Sequence, residues 1–150
     1  MTQSEHGDLS VAKDLLAASD VLDSAAQAIT DLKASLLSDQ TEVFVQIIDC
    51  LSAVTGRVIL TGMGKSGYIA RKIAATMAST GTLASYVHPG EAAHGDLGMI
   101  STHDAVIAIS NSGETAELTE IIDYAKRFAI PLIGLTSKRD STLGDRGDLV

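Results

Sequence analysis

The feature that most constrains the fold is an alternation of short apolar runs and helical spacing in the second half of the chain. The apolar runs predict four buried strands, over 58–61, 84–87, 104–109 and 131–136. Between the strands, apolar residues at helical spacing predict helices over 66–79 and 114–128. Strands that alternate with helices form a parallel sheet with right-handed crossovers, so we expect an α/β fold with a doubly wound parallel sheet.

The first part of the chain has helical periodicity and no strand signal. An apolar residue recurs every seven positions, at Leu15, Leu22, Ile29 and Leu36. This stripe predicts a helix over 8–37, and a second helix is predicted over 41–55. The stripe has two interpretations, because it could pack along its own domain or pair with another subunit. We therefore divide the chain into an N-terminal helical segment, 1–55, and an α/β domain, 56–150.

Charge and composition exclude several function classes. With 11 basic against 19 acidic residues the net charge is −8, so we expect neither nucleic acid nor an anionic membrane as a partner. The single Cys50 excludes an intrachain disulfide and a multi-cysteine metal site, and it suits a reducing compartment. No apolar run approaches the about 20 residues that cross a bilayer, and the N-terminus lacks a signal-peptide pattern. We expect a cytoplasmic protein.

The loop after the first predicted strand is rich in glycine. It reads GMGKSG from Gly62 and formally matches the G-x-G-x-x-G fingerprint of dinucleotide-binding proteins. That fingerprint requires an acidic residue at the end of the second strand, where this chain has His88, so we expect no nicotinamide or flavin cofactor. A nucleoside-triphosphate loop would need glycine where Ile59 stands. The loop is therefore either an anion-binding helix start or a tight turn with Lys65 in solvent.

The loop after the third predicted strand carries three hydroxyl groups within six residues, SNSGET. Ser110, Ser112 and Thr115 lie at a predicted helix start, where hydroxyls and backbone N–H groups together bind phosphate oxygens. Capping the helix needs one hydroxyl, so three favour phosphate binding over capping alone. A phosphate repels the carboxylates of Glu114 and Glu117, which we expect to face a reacting carbon instead.

A third loop, HPGEAAHGDLG, contains two of the four histidines of the chain. A zinc ion could be held by His88, Glu91, His94 and Asp96, but their spacing matches no metalloprotease helix. Pro89 and the glycine after it are also expected to interrupt such a helix. Otherwise the two histidines hold the backbone by hydrogen bonds, or they bind substrate and move protons.

In this order, the motifs GMGKSG, HPGEAAHGDLG and SNSGET resemble the sugar isomerase (SIS) domain, and the run 56–136 is most similar to the arabinose-5-phosphate isomerases. The resemblance implies a flavodoxin-like fold and the interconversion of D-ribulose 5-phosphate and D-arabinose 5-phosphate through a cis-enediol, for Kdo and lipopolysaccharide synthesis. It implies no organic cofactor and a homotetramer with sites at subunit boundaries. Similar domains bind sugar phosphates in regulators without turnover, which is the alternative function.

The resemblance also implies roles for individual residues. Lys65 stabilises the developing negative charge, and Glu117 is the candidate base, with Glu114 left open as a second candidate. His88 also matches a position where an inhibitory zinc ion binds. The implied substrate contacts are Gly64, Ser66, Gly81, Thr82, His88, His94, Ser110, Asn111, Ser112 and Thr115.

Two features depart from the family pattern. Tyr68 stands where close relatives often have histidine, a change that we expect to be tolerated. Residues 148–150 resemble the opening of another buried strand, so we expect the complete protein to continue beyond Val150. In the family the continuation carries a further histidine that is counted among the catalytic groups. We therefore expect this chain to bind the sugar phosphate, and whether it also turns it over is left to experiment.

Overall fold

The computed structural model describes the backbone of residues 3–150 and the side chains of residues 11–150. Two compact units divide the chain, one ending at Phe44 and the other running from Val45 to Val150. The division falls inside the second helix, whereas the sequence indicates a boundary after that helix. Among the described residues, no helix combines the length and apolar character that crossing a membrane requires.

The first unit is dominated by one long helix, α1, Gln3–Leu36. A short turn leads from it to α2, Thr41–Ala53, and the Thr41 hydroxyl donates to the carbonyl of Leu36 across that turn. The predicted stripe lies on α1, where Leu22 and Ile29 are each 70% exposed. The helix predicted over 8–37 is therefore confirmed, and it begins earlier than the sequence indicated.

The second unit is built on a four-stranded sheet in the order β2-β1-β3-β4. Its strands are β1 Val58–Gly62, β2 Ala84–Val87, β3 Ala105–Ile109 and β4 Leu132–Leu135. All three strand pairs are parallel, so every connection is a crossover. The principal crossover helices are α3, Gly64–Ser79, and α5, Thr119–Arg127. The predicted α/β fold class and all four predicted strands are confirmed.

Apolar side chains cover both faces of this sheet. Ile59 points to one face and packs in a cluster with Ile121 and Ile122 of α5. Its neighbours Val58 and Leu60 point to the other face, with the alanines of α3. Successive strand residues alternate between faces, and a continuous apolar run is what a doubly covered strand requires. The doubly wound arrangement is therefore confirmed.

The helix predicted over 114–128 begins later than its apolar spacing indicated. Residues 116–118 form a 3₁₀ turn, and α5 starts only at Thr119. The Thr115 hydroxyl lies 2.7 Å from that of Ser110, and Thr115 keeps an extended backbone. Because these contacts hold residues 110–115 as a loop, the helix cannot start at Glu114.

Two single-turn helices were not predicted, α4 at Pro89–Ala92 and α6 at Thr142–Arg146. Pro89 is the first residue of α4, so His88 precedes this helix and His94 follows it, and the expected interruption of a helix through both histidines is confirmed. Proline suits that position, where its missing N–H would have no intrahelical partner. Near the end of the chain, Leu149 forms a parallel bridge with Ile133, which confirms the strand-like pattern of residues 148–150.

Candidate functional site

Three loops begin side by side at the carboxyl edge of the sheet. β1 lies between β2 and β3, and the register pairs Thr61 with Val87 and Gly62 with Ile109. The three loops singled out in the sequence start directly after these strand ends. Ligands of open α/β sheets bind outside this edge, so the structure brings the three candidate loops to one crevice.

Gly81 and Thr82 lie at the opposite edge. They precede β2, and the next residue, Leu83, accepts a hydrogen bond from Val58 N at 2.8 Å at the amino ends of the strands. Within this chain, these two predicted substrate contacts are therefore not brought together with the others.

The glycine-rich loop gives α3 an uncapped start. Gly64 has a φ of +54°, which glycine adopts at little cost. Of the described side chains, none caps the helix, and its first turn has no acidic residue. The first amide N–H groups of α3 are therefore available to an anion. Lys65 is exposed in this turn and pairs with no described carboxylate, while Ser66 is half-buried.

Gly67 lets α3 approach the end of β1. A Cβ atom there would lie 2.6 Å from the carbonyl oxygen of Gly62 and 2.9 Å from the Tyr86 hydroxyl. Real Cβ atoms essentially never come this close to another atom, so the turn requires glycine at this position. The same hydroxyl donates to the Gly62 carbonyl at 2.8 Å, which ties β2 to the beginning of the loop.

The hydroxyl loop is organised by its own side chains. Ser110 is 2% exposed, and its Oγ accepts from Gly113 N at 3.1 Å and lies 2.7 Å from the Thr115 hydroxyl. Ser112 is exposed, and its Oγ accepts from Glu114 N at 3.2 Å. An oxygen that accepts keeps its own proton to donate, so Ser112 can give a hydrogen bond to an anion. Asn111 is exposed in the same loop.

The two candidate carboxylates of this loop have different surroundings. Glu114 accepts two hydrogen bonds from Thr142, at 2.7 Å from its hydroxyl and 2.7 Å from its backbone N–H. These bonds hold the pKa of Glu114 below its ordinary value. Glu117 is exposed on the 3₁₀ turn and bonds to no other described side chain. Glu114 therefore fastens the loop to α6, and Glu117 is the uncommitted carboxylate.

The two loop histidines also differ. The Nδ1 atom of His88 accepts from Gly90 N at 3.2 Å, so this side chain caps α4 and leaves Nε2 free. His94 is exposed. No three His, Cys, Asp or Glu side chains come together as metal ligands within the described part of the chain. The four-residue zinc hypothesis is therefore wrong for this structure, whereas an inhibitory zinc ion at His88 stays a prediction.

A cavity of about 200 Å³ opens beside His88. It is lined by Gly64, Gly67, Tyr68, Arg71, Tyr86 and His88. Sequence reasoning missed Arg71 and Tyr86. Their positions in the sequence could have identified both as site residues, because residues four apart share a helix face and residues two apart share a strand face. Arg71 follows Gly67 by four positions, and Tyr86 precedes His88 by two.

Fold and site together define a class, a doubly wound α/β domain whose carboxyl edge brings together an uncapped helix start and a loop of hydroxyl groups. Residues 52–150 match the SIS domain, and the chain belongs to this family. The resemblance drawn from the three motifs is thereby confirmed.

Several proteins of known sequence or structure are similar to this chain. An uncharacterised protein of Rickettsia prowazekii (strain Madrid E) is 49% identical over 130 residues, covering 87% of this chain and 40% of that protein. Arabinose 5-phosphate isomerase KdsD of Salmonella typhi is 44% identical over 133 residues, covering 89% and 39% respectively. E. coli CFT073 c3406, solved in complex with a sugar phosphate, aligns with a TM-score of 0.71 at 45% identity, over 77% of this chain and 62% of that chain. The chain thus spans about two fifths of the length of these curated relatives.

Proposed function

We propose that this chain is the sugar-phosphate-binding part of an aldose–ketose isomerase that interconverts D-ribulose 5-phosphate and D-arabinose 5-phosphate. The observation that carries the proposal is the meeting of the hydroxyl loop, the uncapped start of α3 and the histidine loop at one sheet edge. The isomerase named for the Salmonella relative and the sugar phosphate bound by the E. coli protein support this substrate class.

The phosphate group is held by the loop after β3. Ser112 and Thr115 donate hydroxyl protons to the phosphate oxygens, while Ser110 fixes the shape of the loop from its buried position. Asn111 adds an exposed amide, and Gly64 and Ser66 supply positive backbone dipole from the start of α3. The phosphate is thus anchored before any chemistry begins, which fixes the distance from the phosphate to the reacting carbons.

The chemistry is a proton transfer between two adjacent carbons. Glu117 removes a proton from C1 of the ketose, and the electron pair of that bond forms the C1–C2 double bond of a cis-enediol. A proton is then returned to C2, the C1 hydroxyl becomes the aldehyde, and the former C2 carbonyl becomes a hydroxyl. Lys65 stabilises the negative charge on the enediolate oxygens. We assign the base to Glu117 rather than Glu114 because both carboxylate oxygens of Glu114 accept hydrogen bonds from Thr142.

The histidines serve the hydroxyl groups of the sugar. His88 presents Nε2 at the cavity because its Nδ1 caps α4, and His94 follows on the same loop. Either imidazole can carry the proton that moves between the two substrate oxygens, since one ring nitrogen can donate while the other accepts. The reaction moves hydrogen only as protons, so it needs no organic cofactor. A zinc ion on the free His88 nitrogen would block this group and inhibit.

The proposed assembly is a homo-oligomer, a tetramer by resemblance, in which α1 pairs with the same helix of a second copy. Within the stripe, Leu15, Leu22 and Ile29 are each at least 66% exposed on this single chain, and burying such side chains drives association. Gly81 and Thr82 would then contact substrate held by another copy. We further propose a cytoplasmic enzyme whose product enters Kdo and lipopolysaccharide synthesis.

Proton NMR of the chain with ribulose 5-phosphate in D₂O tests the proposal. Arabinose 5-phosphate with deuterium at C2 is expected, and Glu117→Gln should abolish its formation while sugar-phosphate binding persists. Glu120→Gln is the matched control, because Glu120 is an exposed carboxylate one turn further along the chain. Saturable binding without deuterium exchange would contradict turnover by this chain. The same assay on a longer chain would then separate the binding part of an isomerase, which gains exchange, from a regulatory sugar-phosphate module, which does not, and no binding would contradict both functions.

A further inference from the structure

We infer that the cavity at Arg71 and Tyr86 is a second anion subsite, which receives a carboxylate at the end of a sugar phosphate opposite to its phosphate group. The inference rests on the proposed function, because it takes the phosphate to be anchored on the hydroxyl loop. The ligand class is a phosphorylated sugar acid, in which the carboxylate replaces the reacting end of the aldose.

Arg71 carries a positive charge that no acidic residue neutralises. Its guanidinium lies 4.4 Å from the centroid of the Tyr86 ring. Among the described side chains, no carboxylate comes within ion-pair distance of it, although the chain has 19 acidic and 11 basic residues. This cation–π contact leaves the guanidinium N–H groups for a ligand, and their fork matches the two oxygens of a carboxylate.

The Tyr86 side chain, which contacts the Arg71 guanidinium, is held in place by two other contacts. Its hydroxyl is tied to the Gly62 carbonyl, and its ring meets the His88 ring edge-on, with centroids 6.4 Å apart and planes at 74°. Gly64 and Gly67 also line the cavity and leave room in it, because they have no side chains. The lining residues include the guanidinium of Arg71 and no carboxylate, so the cavity favours an anion.

The position of the cavity matches the length of a sugar phosphate. Neighbouring strands lie about 4.8 Å apart, so the ends of β2 and β3, with β1 between them, are separated by about 10 Å. A phosphate on the loop after β3 directs the sugar chain across β1 towards His88 and Arg71 at the end of β2. The far carbon of an extended five-carbon sugar can therefore reach the guanidinium.

Isothermal titration calorimetry with two probes of equal length tests the inference. Arabinonic acid 5-phosphate carries the carboxylate, and arabinitol 5-phosphate has a neutral hydroxymethyl group in its place. We expect the wild-type chain to bind the acid at least about tenfold more tightly, as one charge-assisted contact provides. Lys65 also faces the reacting end in the proposed function, so Arg71→Met should weaken binding of the acid about tenfold rather than remove it, without weakening arabinitol 5-phosphate binding. Arg71→Lys should lose less affinity for the acid because the charge remains.

Arg127→Met is the matched control, because Arg127 makes the same kind of contact, 5.4 Å from the Phe128 ring, on α5. It should leave both affinities unchanged. An unchanged affinity of Arg71→Met for the acid, or equal affinities for the two probes in the wild type, overturns the subsite alone. If the wild-type chain binds neither probe, the proposed function fails and the subsite with it.

Discussion

Replacing Gly67 by alanine sets two opposing effects against each other. Alanine is favoured over glycine inside a helix by about 1 kcal/mol, so propensity alone predicts stabilisation. The new Cβ atom, however, would lie 2.6 Å from the Gly62 carbonyl oxygen and 2.9 Å from the Tyr86 hydroxyl. Overpacking costs about 1–3 kcal/mol, and the upper end applies here because the neighbour is buried main chain. We expect Gly67→Ala to lower the free energy of unfolding by about 2 kcal/mol net.

Tyrosine fluorescence during denaturation is the suitable assay. The chain has three tyrosines and no tryptophan, and Tyr68, Tyr86 and Tyr124 all lie in the second unit, so the signal reports on that unit. The expected loss corresponds to a decrease in Tm on the order of 10 °C. Ala75→Gly, at an exposed site of the same helix, measures the propensity effect alone and should cost about 1 kcal/mol. A Gly67→Ala protein as stable as the wild type would refute the steric argument.

Three further predictions concern the phosphate loop, a buried carboxylate and the α1 stripe. Ser112→Ala should weaken sugar-phosphate binding about tenfold in calorimetry with little effect on unfolding, whereas buried Ser110→Ala should also destabilise the fold; equal effects of the two would contradict their assigned roles. Burial raises the pKa of Asp104, but hydrogen bonds from the N–H groups of Ser101 and Arg57 outweigh it, so the net pKa lies below the ordinary value. Its stabilising contribution is therefore present above the ordinary carboxyl pKa and is lost as the pH falls through the lowered pKa. We expect Asp104→Asn to lower the free energy of unfolding by about 2 kcal/mol at pH 7 and to reduce the loss of stability on acidification. An unchanged loss of stability at low pH would contradict this assignment. Leu22→Asp should reduce the assembly size in sedimentation, and Ala17→Asp, off the stripe, should not; an unchanged Leu22→Asp assembly would exclude α1 pairing.

The fold could be predicted because its signals are local. Runs such as 58–61 and 104–109 show by composition alone that both faces of the strand are covered, and each strand was found in its place. The candidate loops could be predicted for a related reason. In a parallel sheet every strand delivers the loop after it to the same edge, so residues far apart along the chain meet without any knowledge of side-chain packing. The same argument reveals that Gly81 and Thr82, which precede a strand, lie at the other edge.

What the sequence left open depends on contacts between distant residues. Glu114 and Glu117 stand three positions apart on one loop, and both are typical of a first helical turn. They are distinguished by Thr142, 28 residues after Glu114, whose backbone and hydroxyl occupy one carboxylate and leave the other free. Arg71 is a similar case, because a basic residue on a helix is ordinarily a solvated one. Only the contact with the ring of Tyr86, which comes from β2, makes it part of a crevice. In both cases the chemical role follows from which partner a side chain has, and that partner is set by the sheet order rather than by the local pattern.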